Sequence, residues 1–376
     1  MATQIFTISH NWDLSVRVNE YAYAVNESGQ QANRISNSAI FKVEREKLRV
    51  TPYFEAMFPG LWRDSAAHEI TLEGDNNTLA LEVMFHGLHD SLETRGPISV
   101  SMVTVWRLLL ACNTYEVEYV EGPLKEWFKA WFEAENNSTE YGIDCEFERQ
   151  VMGPCYHFNY AEGFAKATKW LVYNSDCHIL ELIPDESASE LQKLHLPQRV
   201  IQLCVIEQLN AARGRLRNIL HKDLFNSVAS ILGGRECDCR EGTVFDYLKE
   251  LWRVKVWPLD NAFKDASAMD VLQKIGRFDA SHIRSPVQQG NNCYCNADWS
   301  DIVMKAALRT LDYFDGLCLD CMSVTKCLME GRDPDHEYWK NGEKKKYDVS
   351  CCISHHQPTW YFSFMGRRGR STKTSY

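Results

Sequence analysis

The residues best placed to do chemistry are cysteines. The chain has 14 of them in 376 residues, and beyond Gly233 they come in close couples: Cys237 with Cys239, Cys293 with Cys295, Cys318 with Cys321. Near the end, Cys351 precedes His355. Coupling of this kind suits tetrahedral zinc, because two ligands close in sequence form a clip and a distant second clip completes the coordination. Cys318-Leu319-Asp320-Cys321 is the commonest clip spacing, and with Cys351 and His355 it makes a site of three cysteines and one histidine. Cys237, Cys239, Cys293 and Cys295 make a second site of four cysteines, although a single intervening residue strains the bite. The doublets Cys351-Cys352 and His355-His356 leave the register of the first site open by one residue. Bound zinc contributes about ten kcal/mol or more in small metal-dependent folds. That would hold together a region that reads as poor in continuous core. Four protein ligands leave no open position, so such zinc is structural and not catalytic.

Two other readings of these thiols stand beside the metal. Reduced cysteines pack as small hydrophobes, and the adjacent Cys177-His178 reads as a buried pair of that sort. A redox role for Cys318 and Cys321 asks for a strand-then-helix setting that lowers the thiol pKa. Tyr313-Phe314-Asp315-Gly316-Leu317 offers a turn instead.

The elements that must position these groups follow from composition and period. Hydrophobic residues at 45% and aromatics at 12% describe a folded chain long enough for two or three domains. A formal net charge of -10 speaks against general nucleic-acid binding, and the basic residues Arg367, Arg368, Arg370 and Lys373 gather in a tail. The first residues lack a signal-peptide pattern and no stretch approaches about 18 apolar residues. The chain therefore reads as soluble and intracellular, cytoplasmic or nuclear, where cysteines stay reduced or hold metal.

Trp12 to Val18 alternates as a first strand and Ile40 to Val43 as its partner, with Asn19 to Asn37 read as an insertion between them. Thr51-Pro52 supplies a cap and a first-turn proline, so a helix starts there with Phe54 and Phe58 turned to a core. Glu69 to Leu72 is strand-like. Thr78 to Leu88 and Val100 to Cys112 are helical, the first beginning among the caps Asp75 to Thr78. From Gly122 to Glu135, Leu124, Trp127, Phe128, Trp131 and Phe132 fall on one stripe and predict a core-facing helix. Residues 136–159 lose period and hold Gly142, Gly153 and Pro154, the signals of a linker. Ala161 to Tyr173 and Leu196 to Leu209 return to helical spacing.

The order of strand, two short helices, strand and helices from Ser38 to Val120, with Thr51-Pro52-Tyr53-Phe54-Glu55-Ala56-Met57-Phe58 at its centre, resembles the BTB/POZ domain. Leu108 to Val117 is similar to a later helix of that domain. Where the family commonly has Val-His-Lys, this chain has Val43-Glu44-Arg45. The carboxyl half is similar to fungal BTB-domain proteins through Val256-Trp257-Pro258-Leu259, Tyr313 to Met322 and His355 to Met365. The resemblance implies an α+β, BTB/POZ-like domain, followed by a mainly helical region and a cysteine-rich, zinc-stabilised C-terminal region.

The expected divisions are an N-terminal segment at 1–11, the BTB/POZ-like domain at 12–135 with its insertion at 19–37, a linker at 136–159, a helical region at 160–232, a cysteine-rich region at 233–366 and the basic tail at 367–376. The expected function is a non-catalytic adaptor or scaffold. The resemblance implies protein partners, among them a second copy in a homodimer or a cullin-type ligase. The alternative is a zinc-containing nucleic-acid-binding or transcription-regulatory protein. Phosphate-loop, nucleophile-elbow and zinc-protease motifs are lacking, which weighs against an enzyme.

Overall fold

The computed structural model describes residues 3–25, 31–58, 68–72, 76–95, 99–138, 145–184, 203–234, 240–284, 297–319 and 352–353. The chain forms two compact units: one from residues up to 143 with 150–163 and 182–200, the other from 144–149, 164–181 and 201 onward.

The first unit is built on a mixed four-stranded sheet of order β1-β3-β2-β4. Its strands are β1 (Gln4–Thr7), β2 (Leu14–Val25), β3 (Gln31–Val43) and β4 (Glu69–Leu72). The expected pairing holds, with Leu14 opposite Val43 and Arg17 opposite Ile40 in antiparallel register. Period-2 alternation explains it: Leu14, Val16, Val18, Ala39, Phe41 and Val43 are fully buried on one face.

Two expectations are corrected here. The insertion at 19–37 is largely strand, since β2 and β3 stay paired out to Val25 opposite Gln31, past an irregularity at Glu20/Tyr21. The segment before residue 12 contributes β1, which runs parallel to β3 with Ile5 opposite Ile40.

After β3 come the short helices α1 (Arg45–Leu48) and α2 (Pro52–Met57). The Thr51 hydroxyl accepts from the Phe54 amide, so the cap sits where the sequence put it. Helices α3 (Thr78–Leu88), α4 (Leu92–Arg95), α5 (Met102–Thr114) and α6 (Pro123–Ser138) follow β4. Asn77 and Ser101 cap α3 and α5 through their side chains. The α6 stripe is buried throughout, from Leu124 to Phe132. A methyl group on Gly87 of α3 would lie 2.6 Å from Leu124, so the α3–α6 approach depends on that glycine.

The stretch expected as a linker carries helix α7 (Cys145–His157), with Pro154 inside it. Proline lacks the amide that would bond the carbonyl four residues earlier. That carbonyl, Gln150 O, instead accepts from the Trp106 indole at 3.1 Å. A distant tryptophan thus makes an unfavourable local sequence tolerable.

The second unit is helical. Its main elements are α8 (Ala161–Asn174), α9 (Leu203–Leu232), α10 (Arg240–Arg253), α11 (Leu259–Ala262), α12 (Ala268–Ile275), a 3₁₀ turn at Ala280–His282 and α13 (Trp299–Leu311). One apolar core joins α9, α10, α12 and α13 through Leu220, Leu224, Leu251, Val271 and Val303. Tyr247 stacks on Trp299 at 4.1 Å and donates to the Leu224 carbonyl. Residues 240–284 and 297–311, part of a region read as poor in continuous core, therefore share a substantial one. The periodicity of α10 is interrupted by Asp246 and Glu250 on its buried face, which hid it. Among the described residues, no helix is long and apolar enough to cross a membrane.

Candidate functional site

Of the eight expected zinc ligands, Cys318 is within the described residues. Cys321, Cys351, His355, Cys237, Cys239, Cys293 and Cys295 lie outside them. Cys318 is fully buried at the end of a segment clamped to α8. Gly316 makes the clamp possible: it sits at φ +93°, and an added methyl group would lie 2.0 Å from the Ala165 carbonyl oxygen. The Leu317 amide donates to the Thr168 hydroxyl at 2.9 Å. Upstream, the Tyr173 hydroxyl donates toward the Thr310 and Leu311 carbonyls and accepts from the Phe314 amide. Lys169 reaches Asp315 at 3.5 Å. In place of the turn read at Tyr313–Leu317 there is a bend at Tyr313 and then irregular chain through residues 314–318, which brings Cys318 to a closed place. A thiol held this way suits a structural ligand or core packing. Among the described residues, no three His, Cys, Asp or Glu side chains converge to hold a metal ion. Cys352, beside Cys351, is exposed.

The Cys177-His178 pair, expected to be buried, is exposed in the connection after α8. Arg213 donates to the Cys177 carbonyl at 2.7 Å, and His178 lies 3.3 Å from the Asn210 amide nitrogen. Hydrogen bonds from the Arg213 and Asn210 side chains hold this connection in place, and the Cys177 thiol is not part of a core.

In the first unit the feature that fixes shape is α2. Phe54 is fully buried, stacks on Tyr115 at 5.6 Å and meets Phe85 at 6.5 Å, while Phe85 in turn meets Phe41 of β3 at 5.1 Å. Tyr53 meets the Tyr115 ring edge-on at 5.0 Å, and the Tyr115 hydroxyl donates to Asn76 at 2.6 Å. Offset and edge contacts of this kind add stabilisation beyond area burial. One aromatic chain thus links sheet, α2, α3 and α5.

Two histidines lie under the same corner. His89 donates from Nδ1 to the Phe85 carbonyl at 2.8 Å and accepts at Nε2 from the Glu44 amide at 2.9 Å, an arrangement only the neutral ring can make. Burial pushes its pKa down. His86 shares a hydrogen bond with Ser91 at 2.7 Å; burial, then Arg95 and His89, push its pKa down to about 4. Glu44, the departure from the resembling motif, is thus tied through its backbone to the end of α3.

On the outside of this unit, Ile5 of edge strand β1 is 62% exposed and Val50, beyond α1, is 71% exposed. Between α4 and α6 lies a cleft of about 740 Å³, floored by buried Leu92 and Trp127 and edged by exposed Ala130, Asp90, Glu93 and Glu126.

The sequence did not reveal the polar centre of the second unit. Glu250, 3% exposed, accepts from Arg253, from the Asp279 amide at 2.9 Å and from His282 Nδ1 at 2.8 Å. These contacts, the Arg253 guanidinium first, bring its carboxyl down to about 2. One turn earlier, Asp246 accepts from Arg284 at 2.6 and 3.1 Å. The available signal was two carboxylates one turn apart among Val244, Tyr247 and Leu251, a position where acids need partners. Glu148 of α7 is the opposite case. It is fully buried, neither oxygen has a hydrogen-bond partner among the described residues, and burial lifts its carboxyl to about 7.

Comparison with protein families, characterised proteins and solved structures finds no match to this chain.

Proposed function

We propose that the chain is a non-catalytic adaptor whose sheet-bearing unit is a BTB/POZ-like docking module and whose carboxyl half is held by structural zinc. The observation that carries this reading is the closed aromatic corner around Phe54. The Tyr53 to Phe58 segment thus serves shape, while Ile5 of β1 and Val50 beyond α1 are exposed apolar residues open to partners. An edge strand with an exposed isoleucine is a surface that associates unless it is covered. Partners of this module are a second copy of the chain and, as the resemblance implies, a cullin-type ligase scaffold. The burial and clamping of Cys318 support a structural role for the first zinc site, which Cys321, Cys351 and His355 would complete.

Light scattering on the full chain tests the module. A mass twice that of the 43.4 kDa chain is expected at micromolar concentration, and a monomer at the highest attainable concentration would refute self-association. Metal analysis tests the second part. Full-length protein should carry zinc, and Cys318→Ser with Cys321→Ser should lower the zinc content; an unchanged content would remove those ligands from the assignment.

A further inference from the structure

The cleft between α4 and α6 has an arrangement of charge that selects its occupant. Its floor is apolar, with Leu92 7% and Trp127 8% exposed. Its carboxylates stand at the mouth: the side chains of Asp90 and Glu126 are each 66% exposed. Two lysines answer them in part. Lys47 reaches Asp90 at 3.4 Å and Lys129 reaches Glu126 at 2.8 Å. Both pairs are solvent-exposed and so contribute little. Glu93 makes no ion pair among the described residues. One negative charge is left over at the rim of a chain that is itself acidic.

Among the described residues no three His, Cys, Asp or Glu side chains converge at the cleft to hold a small cation. Carboxylates at the rim over an apolar floor match an amphipathic polypeptide that inserts apolar side chains and keeps its cations at the solvent edge. Arginine and lysine suit such a site twice over, because their aliphatic stems cover apolar surface while their charged heads stay in water. A volume of about 740 Å³ is in the range of clefts that take a compact group of side chains. The backbone builds the site rigidly. Asp90 sits at φ +52° where α3 ends, its amide donating to the Gly87 carbonyl at 3.3 Å, and that turn places α4 against α6.

We propose that this cleft docks a basic, amphipathic segment of a partner protein, in which apolar side chains contact Trp127 and Leu92 and flanking arginines or lysines meet Glu93, Glu126 and Asp90. The proposal rests on the adaptor reading and gives the partner's chemistry. It is independent of the β1 edge.

The probe is a fluorescein-labelled helical peptide with leucines one turn apart flanked by arginines, titrated with the full chain and read by fluorescence anisotropy. Binding should weaken with added salt, and a peptide with glutamates in place of the arginines should fail to bind. Glu93→Lys with Glu126→Lys, both exposed positions that leave the fold alone, should weaken binding by about tenfold or more. Ala130→Trp should fill the cleft and do the same. Unchanged affinity in both variants, equal binding of the acidic peptide, or no binding up to millimolar concentration would overturn the proposal. Light scattering on the same samples separates the two claims. A variant that keeps its oligomeric mass and loses the peptide indicts only the cleft, whereas a monomer that binds the peptide indicts only self-association.

Discussion

The two units solve the same problem with different chemistry. The sheet-bearing unit closes around rings: Phe41, Phe54, Phe85 and Tyr115 in contact, with His86 and His89 buried in neutral form beneath them. The helical unit packs leucines and valines and then ties its 3₁₀ turn to α10 with carboxylates, Glu250 to Arg253 and His282, and Asp246 to Arg284. A ring core tolerates no loss of volume but is indifferent to salt. A carboxylate hub is the reverse, since its members are costly to bury and worse to leave unpaired. Each unit should therefore fail under a different insult.

The largest effect expected is that of Phe54→Ala, which removes a fully buried ring and should cost about 3–5 kcal/mol. In urea it should lower the midpoint of the sheet-bearing unit and leave the helical transition in place; a single shifted transition would show that the two units do not unfold separately.

Next is Glu250→Gln, which leaves Arg253 and His282 facing a neutral amide and should cost about 2–4 kcal/mol in the helical unit. If the same substitution moved only the sheet-bearing unit, the division of labour described here would be wrong.

Acidity should separate the units further. His86 has its folded pKa lowered to about 4 against an ordinary 6.5, so the folded state binds protons less readily than the unfolded one. Its contribution is complete above about pH 6.5 and is lost as the pH falls toward 4, on the order of 2 kcal/mol. Glu250, lowered to about 2, gives stability that is complete above the ordinary carboxylate range and is lost only below it. Glu148 has the opposite sign: its raised folded pKa, about 7, means that stability declines from about pH 4.5 to 7 and then stays level. Glu148→Gln should accordingly stabilise the helical unit at pH 8 and change little at pH 4.5. Melting curves at pH 8, 6 and 4.5 would show whether the sheet-bearing unit is the acid-sensitive one.

What could be read beforehand was whatever depends on neighbours in sequence. Thr51-Pro52 announced its helix, the alternation of Leu14 to Val18 announced its strand, and the stripe from Leu124 to Phe132 announced a buried face. What could not be read depends on partners far along the chain. Strand β1 is four residues long and pairs in parallel with β3. The outer half of β3 carries Asn33 and Asn37, a residue type strands usually avoid. Helix α7 survives Pro154 because Trp106 satisfies the orphaned carbonyl. The core of residues 240–284 and 297–311 was obscured by two acids on a buried face, some of whose partners, the Asp279 amide and Arg284, lie 29 and 38 residues away. Of the expected cysteine ligands, the placement of Cys318 was not legible, because Gly316 and Thr168 set it.

The smallest effect compares caps. Thr51→Ala should cost the sheet-bearing unit about 1 kcal/mol, and Ser267→Ala, which breaks the capping box of α12, a similar amount in the helical unit. Differential scanning calorimetry of the two variants would show each loss confined to its own unit.

Docking by the sheet-bearing unit is the centre of the account, and the exposed apolar residues of the two units put it to the test. Ile5 is 62% exposed on β1, and Trp252 is 67% exposed on α10. Light scattering should be measured on full-length protein carrying Ile5→Asp or Trp252→Asp. The account predicts that Ile5→Asp halves the mass to that of one chain while Trp252→Asp leaves the dimer intact. A dimer that survives Ile5→Asp and dissociates with Trp252→Asp would contradict it.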